Sequence, residues 1–159
     1  MVIRKIYPSD NAILEQIIKS VFIEFGLPKE GTAYEDIETK NMYQSYQNER
    51  EVYYVLEENG EVLGGAGIKK LNKNEDNICE LQKMYFSRVI RGKGYGKSLF
   101  HKCLKAAKNF GYEKCYLESG FDLEAAIHIY EKNGFVHLDT PIGDTGHFSC
   151  GVWMIKDLE

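Results

Sequence analysis

The feature that most constrains this chain is a glycine-rich segment, VIRGKGYGKSL, at residues 89–99. Three glycines and three basic residues fall between Arg91 and Lys97, directly ahead of apolar residues at helical spacing. The first turn of a helix leaves backbone N–H groups without partners, and the usual capping residues are absent from this segment. Glycines let an anion approach the backbone closely, and the helix dipole favours negative charge there. The segment therefore predicts a loop that binds a diphosphate group.

Two nucleotide-binding patterns nearly fit this loop, and a third pattern fits it in full. The Walker A pattern GxxxxGK[ST] would need its first glycine at Arg91. The Rossmann pattern GxGxxG would need its third glycine at Lys97. The pattern R-x-x-G-x-G matches from Arg91 to Gly96, after a predicted strand and at the start of a helix. A nucleotide-binding protein is therefore the least favoured alternative.

The hydrophobic pattern predicts one α/β (α+β) domain over residues 1–159, with about seven strands and about four helices. Asn59-Gly60 is a hairpin turn dipeptide inside the run 51–71. The helix after the glycine loop joins two apolar strands, which should therefore be parallel neighbours. The remaining predicted strands cover residues 2–7, 77–86, 113–119, 135–138 and 150–158. Four helices are predicted. The first begins after a cap at Ser9 or Asp10, and the second covers the more polar residues 32–47. The third follows the glycine loop, and the fourth begins after a cap at Asp122.

Composition excludes several classes of protein. The formal net charge is −4, so we expect no nucleic-acid partner, because such binders carry a basic surplus. The sequence has neither an apolar run of membrane-spanning length nor an apolar stretch typical of a signal peptide, so we expect no membrane association and a cytoplasmic location. We interpret the cysteines as reduced thiols, mostly buried, and expect no metal, because no two of them have metal-ligand spacing. They are Cys79, Cys103, Cys115 and Cys150.

Two segments together resemble a known family. KMYFSRVIRGKGYGKSLF (83–100) is similar to the strand, pyrophosphate loop and helix of the GNAT superfamily of N-acetyltransferases. AAIHIYEKNGF (125–135) is similar to that family's later helix, at the usual distance. The chain departs from the family at Arg88-Val89, where Pro-Glu is frequent, and at Leu123, where an asparagine often contacts the pantetheine arm. The resemblance implies the GNAT fold, with a mixed, mostly antiparallel twisted sheet, and acetyl-CoA as the acyl donor.

The resemblance also implies which residues hold acetyl-CoA. Backbone amides of the glycine loop would bind the diphosphate, with added positive charge from the basic side chains. A bulge would splay the fourth strand from the fifth, and the pantetheine arm would pair with the exposed backbone of the fourth strand. The implied cofactor contacts are Met84, Tyr85, Phe86, Arg91, Gly92, Lys93, Gly94, Tyr95, Gly96, Lys97 and, in the later helix, Ala126.

Acyl transfer to an amine needs an acid for the thiolate and a base for the amine. Tyr130 matches the family's acid, although its apolar helix face is also compatible with simple core packing. Glu80 lies within a predicted strand, where a carboxylate is costly to bury without a partner, so it is one candidate base. His147, in a glycine-containing loop, is the other. A solvated position is the alternative for both residues. We interpret the other histidines, His101, His128 and His137, as structural.

The segment between the first two strands should supply the acceptor pocket. It is acidic and aromatic, which would suit a cationic amine, and a solvated helix face is the alternative. Because the core fold uses nearly the whole chain, we expect a small-molecule amine as the acceptor. A non-catalytic coenzyme A-binding sensor of the same fold is the main alternative function, and a homodimer stays open because dimers are common in the family. The pocket candidates are Glu24, Tyr34, Glu35, Asp36, Tyr43 and Tyr46.

Overall fold

A computed structural model describes residues 1–74 and 76–159. Over these residues the chain forms a seven-stranded sheet and three α-helices. The strands are β1 (Val2–Lys5), β2 (Val52–Glu58), β3 (Glu61–Lys70), β4 (Ile78–Phe86), β5 (Lys114–Ser119), β6 (Val136–Leu138) and β7 (Val152–Asp157). The helices are α1 (Asn11–Glu24), α2 (Tyr95–Asn109) and α3 (Glu124–Lys132). Short 3-10 turns cover Pro8–Asp10, Ile37–Lys40, Gln44–Tyr46 and Arg88–Ile90.

The sheet has the strand order β1-β2-β3-β4-β5-β7-β6. Neighbouring strands are antiparallel except for β4 and β5, which are parallel because α2 carries the chain back across the sheet. The predicted hairpin joins β2 to β3, and both of its turn residues, Asn59 and Gly60, have positive φ angles of 52° and 83°. The predicted mixed, mostly antiparallel sheet is therefore confirmed.

Helices cover both faces of the sheet. Side chains alternate between the two faces along each strand, so each face contributes to its own core cluster. Along β2, Val52 and Leu56 pack with α2 and α3 in one core cluster. Tyr53 and Val55 point the other way and pack with α1 in a second cluster. Within the described residues no helix has the length and apolar character that crossing a membrane requires.

The predicted second helix is wrong, so the described chain has three α-helices instead of four. Residues 32–47 form irregular backbone with 3-10 turns at Ile37–Lys40 and Gln44–Tyr46. Side chains in and near this segment bond to backbone groups that a helix would use. Thr39 donates to the carbonyl of Ala33, and the Asn11 side chain accepts from the amide of Tyr43 at 2.7 Å. Such local bonds compete with helical hydrogen bonds.

Asp10 occupies the predicted cap position of α1, but its side chain does not cap the helix, and the predicted cap at Asp122 is wrong. The Asp10 carboxylate accepts from the amide of Tyr7 at 2.6 Å and pairs with Arg4, so it points away from the first turn of α1. Helix α3 begins at Glu124, and the residue in the cap position is Leu123 rather than Asp122. The glycines after α1 and α2, Gly26 and Gly111, have positive φ angles, as expected of helix-ending residues.

A bulge in β4 opens the sheet at its centre. The pairing of β3 with β4 shifts register between Gly65 and Gly67, and Lys83 on β4 has a φ of 48°. In the described residues, β4 pairs with β5 only from Ile78 to Glu80, although both strands continue further. A gap therefore separates the two strands beyond Glu80, as the family resemblance implied.

Candidate active site

The glycine loop presents the open start of α2 to solvent. Gly92 and Gly94 have φ angles of 75° and 83°, a conformation that suits glycine, and α2 begins at Tyr95. Among the described residues no side chain caps this helix. A Cβ atom added at Gly92 or Gly94 would find no described atom within 4 Å. The first-turn amides are thus accessible to an anion, and their binding to a diphosphate stays a prediction.

The Arg91 side chain is turned away from this opening. Its guanidinium forms a two-pronged pair with the Glu24 carboxylate at 2.9 and 2.7 Å and donates to the carbonyl of Phe86 at 3.1 Å. This pairing holds the pKa of Glu24 below its ordinary value. Glu24 therefore belongs to the glycine loop rather than to an acceptor pocket. The positive charge that the loop offers outward comes from the exposed side chains of Lys93 and Lys97.

Two cavities meet at the bulge of β4. We call the larger the polar cavity; it measures about 940 Å³ and lies among the 36–38 turn, the end of β3 and the 144–147 loop. The smaller, the strand-gap cavity, measures about 70 Å³ and lies between β4 and β5 beyond their last paired residues. Among the described residues, the cavities share four lining residues. These are Glu80, Gln82, Lys83 and His147.

The strand-gap cavity collects several of the predicted cofactor residues. Met84 and Tyr85 from β4 and Ala126 and Tyr130 from α3 line it. The Tyr130 hydroxyl lies 3.9 Å from the Met84 sulfur, and burial raises the pKa of Tyr130. The tyrosine is thus protonated at neutral pH and faces the gap. Phe86, by contrast, packs its ring near Gly96 and lies outside the described lining of the cavity.

Glu80 lies in the wall between the two cavities. Its side chain is buried, with 3% of the residue exposed, so the alternative of a solvated glutamate is excluded. One carboxylate oxygen accepts from the Gln82 amide at 2.7 Å. Burial raises the pKa of Glu80 to about 7, which outweighs the opposing effect of that hydrogen bond. A carboxylate with this pKa can both take and return a proton near neutral pH.

His147 is held by a carboxylate on the opposite side of the wall. Its Nε2 atom lies 2.7 Å from Oδ2 of Asp36. Burial lowers the pKa of His147, but the hydrogen bond and charge of Asp36 raise it more, so the net shift is upward. The pKa of Asp36 is lowered overall, because the effects of His147 and Lys83 outweigh the upward effect of burial. The ring is thus predisposed to be protonated, which makes Glu80 the better base.

Lys83 is a site residue that the sequence pattern missed. Its side chain is only 2% exposed, and its ammonium lies 3.0 Å from Asp36 and 3.3 Å from Glu38. Its carbonyl accepts a hydrogen bond from the Tyr53 hydroxyl at 2.8 Å. Strict alternation would place Lys83 on the face opposite Gln82, yet the bulge lets both line the same wall. A register shift of this kind leaves no signal in the strand pattern.

The predicted acceptor residues separate into different environments. Of the six, only Asp36 lines the polar cavity within the described chain. Tyr46 is buried beneath the wall and donates to the Gln82 side chain at 2.8 Å. Tyr34 packs against Phe22, Tyr43 lies beside the second core cluster, and Glu35 is exposed.

The cysteines of the described chain are all free thiols, as predicted. Cys79, Cys103 and Cys115 are fully buried in the core. Cys150 is half-buried and lines the strand-gap cavity with Glu118, two residues that the sequence pattern did not assign to the site. Burial, assisted by Glu118, raises the pKa of Cys150 to about 12, so its thiol is protonated.

The remaining histidines lie away from both cavities in the described part of the chain. His101 and His128 are exposed on helices. His137 is exposed and lies 2.7 Å from a Glu131 oxygen. The prediction that these three residues have no place in the site agrees with their positions.

Comparison with known proteins identifies the family. Residues 15–135 match the family model described as "Acetyltransferase (GNAT) family". The chain is 41% identical over 158 residues to "Uncharacterized N-acetyltransferase YjgM" of Escherichia coli (strain K12), covering 99% of this chain and 95% of that protein. Its fold is similar to a GNAT acetyltransferase from Staphylococcus aureus Mu50, with a TM-score of 0.85, 20% identity and 99% of both chains covered.

A second solved structure has the same fold and contains a ligand. It is yncA from Salmonella typhimurium with its cofactor acetyl-CoA, at a TM-score of 0.80 and 20% identity, covering 100% of this chain and 94% of that chain. The family match spans most of the chain, and it includes the glycine loop, the β4 bulge and Tyr130. The chain therefore belongs to the GNAT family and is an acetyltransferase.

Proposed function

We propose that this enzyme transfers the acetyl group of acetyl-CoA to the primary amine of a small, polar molecule, with Glu80 as the base. The observation that carries the proposal is the shared wall of the two cavities. A donor in the strand-gap cavity and an acceptor in the polar cavity would meet at Glu80, which lines both. Proximity of two bound reactants at one such point supplies a large part of catalysis.

The donor half fits acetyl-CoA by its backbone. The open amides at the start of α2 suit a diphosphate, and exposed Lys93 and Lys97 add positive charge. Beyond Glu80, β4 lacks β5 as a partner in the described chain, which leaves backbone groups at 84–86 for the amide groups of a pantetheine arm. The similarly folded Salmonella protein contains acetyl-CoA, which supports the same donor here.

The acceptor half favours a polar, charged amine. Carboxylates and ammonium groups alternate around the polar cavity, including Glu38 beside Lys69 and Asp144 beside Lys73. Apolar side chains are a minority among its described lining residues, namely Ile37 and Leu71. Such a surface offers few apolar contacts to an aromatic or long aliphatic amine, whereas it can pair with the charges of a small amino compound.

Three proton transfers complete the reaction. Glu80 accepts a proton from the entering ammonium, which frees the lone pair that attacks the thioester carbonyl, and Glu80 later releases that proton to solvent. Tyr130, which is protonated before the reaction, donates to the departing thiolate and takes back the proton that the attacking nitrogen loses as the intermediate collapses. Asp36 holds the His147 ring in place beside this path, and a backbone amide of β4 polarises the thioester carbonyl.

A panel of acceptors tests the proposal. Purified protein and acetyl-CoA are mixed with polyamines, amino acids, amino sugars, aromatic amines and lysine-containing peptides, and free thiol release is followed. We expect turnover with at least one small polar amine and little with aromatic amines. Turnover with peptides alone would contradict the small-molecule acceptor. Coenzyme A binding by calorimetry without turnover on any amine would favour the non-catalytic sensor.

A further inference from the structure

We propose that Glu118, His147 and Cys150 form a zinc-binding site in the wall of the strand-gap cavity, and that zinc bound there inhibits the enzyme. The binding site depends on the geometry of these three side chains alone. The inhibitory effect rests on the proposed acetyl transfer, because the ion would lie at the junction where donor and acceptor meet. Zinc is here an inhibitory ligand and not a cofactor of the reaction.

The three side chains offer a carboxylate oxygen, a ring nitrogen and a thiol sulfur. These ligand atoms all lie within 4.8 Å of one another. In a tetrahedral zinc site with bonds of about 2.0–2.3 Å, ligand atoms are separated by about 3.5 Å. Small side-chain rotations would therefore bring all three atoms to bonding distance, with the backbone left in place.

Local structure explains why the three groups converge. His147 and Cys150 are three residues apart in a turn closed by a hydrogen bond of 3.4 Å between the Cys150 amide and the His147 carbonyl. Glu118 approaches from β5 and is fixed through its two oxygens by the hydroxyls of Tyr116 at 2.7 Å and Thr145 at 2.9 Å. Cysteine spacing alone predicted no metal, because this pattern pairs one cysteine with a histidine.

The surroundings resemble the supporting shell of a metal site. Asp36 lies 2.7 Å from the His147 ring, and a carboxylate beside a metal-bound histidine fixes its orientation and makes it a better ligand. Around the cluster, the charge of Glu80 and Asp36 attracts a dication, and the ammonium of Lys83 opposes it. Lys83 is already bound to Asp36 and Glu38, which reduces that opposition.

The donor set selects zinc over the hard cations. Magnesium and calcium prefer oxygen ligands, whereas a thiolate and an imidazole suit zinc. Zinc binding would displace the proton of the Cys150 thiol, which is released to solvent. Three protein ligands leave the fourth position open towards the cavity, which measures about 70 Å³. An ion with its bound water would occupy much of that volume, and so it would exclude the reacting end of the donor.

Direct binding measurements test the site without any substrate. Chelator-treated protein is titrated with zinc chloride by calorimetry, and cobalt(II) is added to a parallel sample to detect thiolate coordination by its ultraviolet charge-transfer absorption. We expect one tight site, and Cys150→Ser should remove the cobalt–thiolate band. We expect Cys150→Ser and Glu118→Gln to weaken zinc binding at least tenfold, because even the loss of a group that only supports a metal ligand weakens binding by about 10- to 100-fold. Melting temperatures check that each variant is folded.

His137→Asn is the matched control, because His137 and Glu131 form an exposed histidine–carboxylate pair elsewhere on the surface. This variant should bind zinc as the parent protein does. Equal zinc affinity in the parent protein and Cys150→Ser, or loss of binding in His137→Asn, would overturn the site. Inhibition is measured separately, as the rate with zinc divided by the zinc-free rate of the same variant. One equivalent of zinc should stop acetyl transfer by the parent protein and should lower the rate of Cys150→Ser much less, relative to that variant's own zinc-free rate. Tight binding at this site with undiminished acetyl transfer would overturn the inhibitory role.

Discussion

The two halves of the site are built in different ways. The donor half, from the β4 bulge through the glycine loop to α3, consists of regular elements and their ends. The proposed acceptor half is formed largely by two irregular segments, residues 32–47 and 139–151. An ion pair and a hydrogen bond attach the first segment to β4, and the bond between His147 and Asp36 attaches the second segment to the first. The difference teaches that a short, local pattern can encode a backbone site for a diphosphate. A pocket for a particular acceptor requires contacts between residues far apart in the chain.

The largest expected effect lies where the halves meet. Replacing Glu80 by glutamine removes the proposed base but keeps the side chain's size and its partner Gln82. We expect kcat to fall about 10³-fold, as for the loss of a positioned base, with coenzyme A affinity within twofold. Steady-state kinetics and calorimetry measure the two effects. Glu61→Gln, at an exposed position of β3, is the control, and a loss of less than fivefold in Glu80→Gln would identify water or His147 as the base.

In the donor half, blocking backbone amides should be enough to weaken coenzyme A binding. We expect Gly94→Val to weaken coenzyme A binding about 10²-fold, because its side chain would occupy the open approach to the α2 amides. Gly111→Val is a matched control at the other end of the same helix. Its φ of 82° is close to the 83° of Gly94, and its Cβ would also meet no described atom within 4 Å. Both variants incur the same backbone strain, so equal coenzyme A affinities by calorimetry would place the diphosphate elsewhere.

Tyr130 tests the chemistry of the donor half. We expect Tyr130→Phe to lower kcat on the order of 10²-fold, since it removes the proposed general acid. Within the described chain the hydroxyl's one hydrogen-bond partner is the Met84 sulfur, at 3.9 Å, so stability and coenzyme A affinity should change little. Thermal melts and single-turnover measurements separate these effects. Tyr112→Phe, a buried tyrosine outside both cavities, serves for comparison. Equal kcat values in the two variants would leave Tyr130 with a packing role only.

Replacing Lys83 should weaken binding of the acceptor. We expect Lys83→Met to raise the acceptor KM about tenfold, because Asp36 and Glu38 lose their buried partner. Lys70→Met removes an exposed ammonium from the same cavity and should change KM much less. A KM shift of equal size in both variants would show that the effect is one of overall charge.

The most graded effect is that of pH. With the pKa of Glu80 at about 7, kcat/KM should rise about tenfold per pH unit below 7 and level off above it. Stability should change in the opposite direction. The pKa of Glu80 is 4.5 in the unfolded chain and about 7 in the folded chain. Between these two pH values Glu80 keeps its proton in the folded chain and has lost it in the unfolded chain. The free energy of unfolding therefore falls by about 3 kcal/mol as the pH rises through this range. Glu80→Gln should abolish this slope in urea melts, and an unchanged slope would assign it to other groups.

The same contrast explains what the sequence predicts. The strand order around β4 and β5, the hairpin at Asn59-Gly60 and the loop at Gly92–Gly96 follow from periodicity and turn residues. Residues 32–47 carry a helix-like spacing, yet side-chain bonds to backbone groups and pairing with Lys83 impose another shape. The partners Arg91–Glu24 and His147–Asp36 are 67 and 111 residues apart, and no local pattern connects such pairs.

The left-handed backbone of Lys83 couples the two halves. A residue with a side chain adopts this conformation at a cost of about 1–3 kcal/mol, and glycine would adopt it freely. Lysine occupies the position because its ammonium is held by Asp36 and Glu38, so the acceptor segment helps to keep the bulge bent. The proposed acceptor and donor sites would thus both depend on Lys83. A double-mutant cycle between positions 36 and 83, read on coenzyme A affinity, would measure the coupling energy between the two sites.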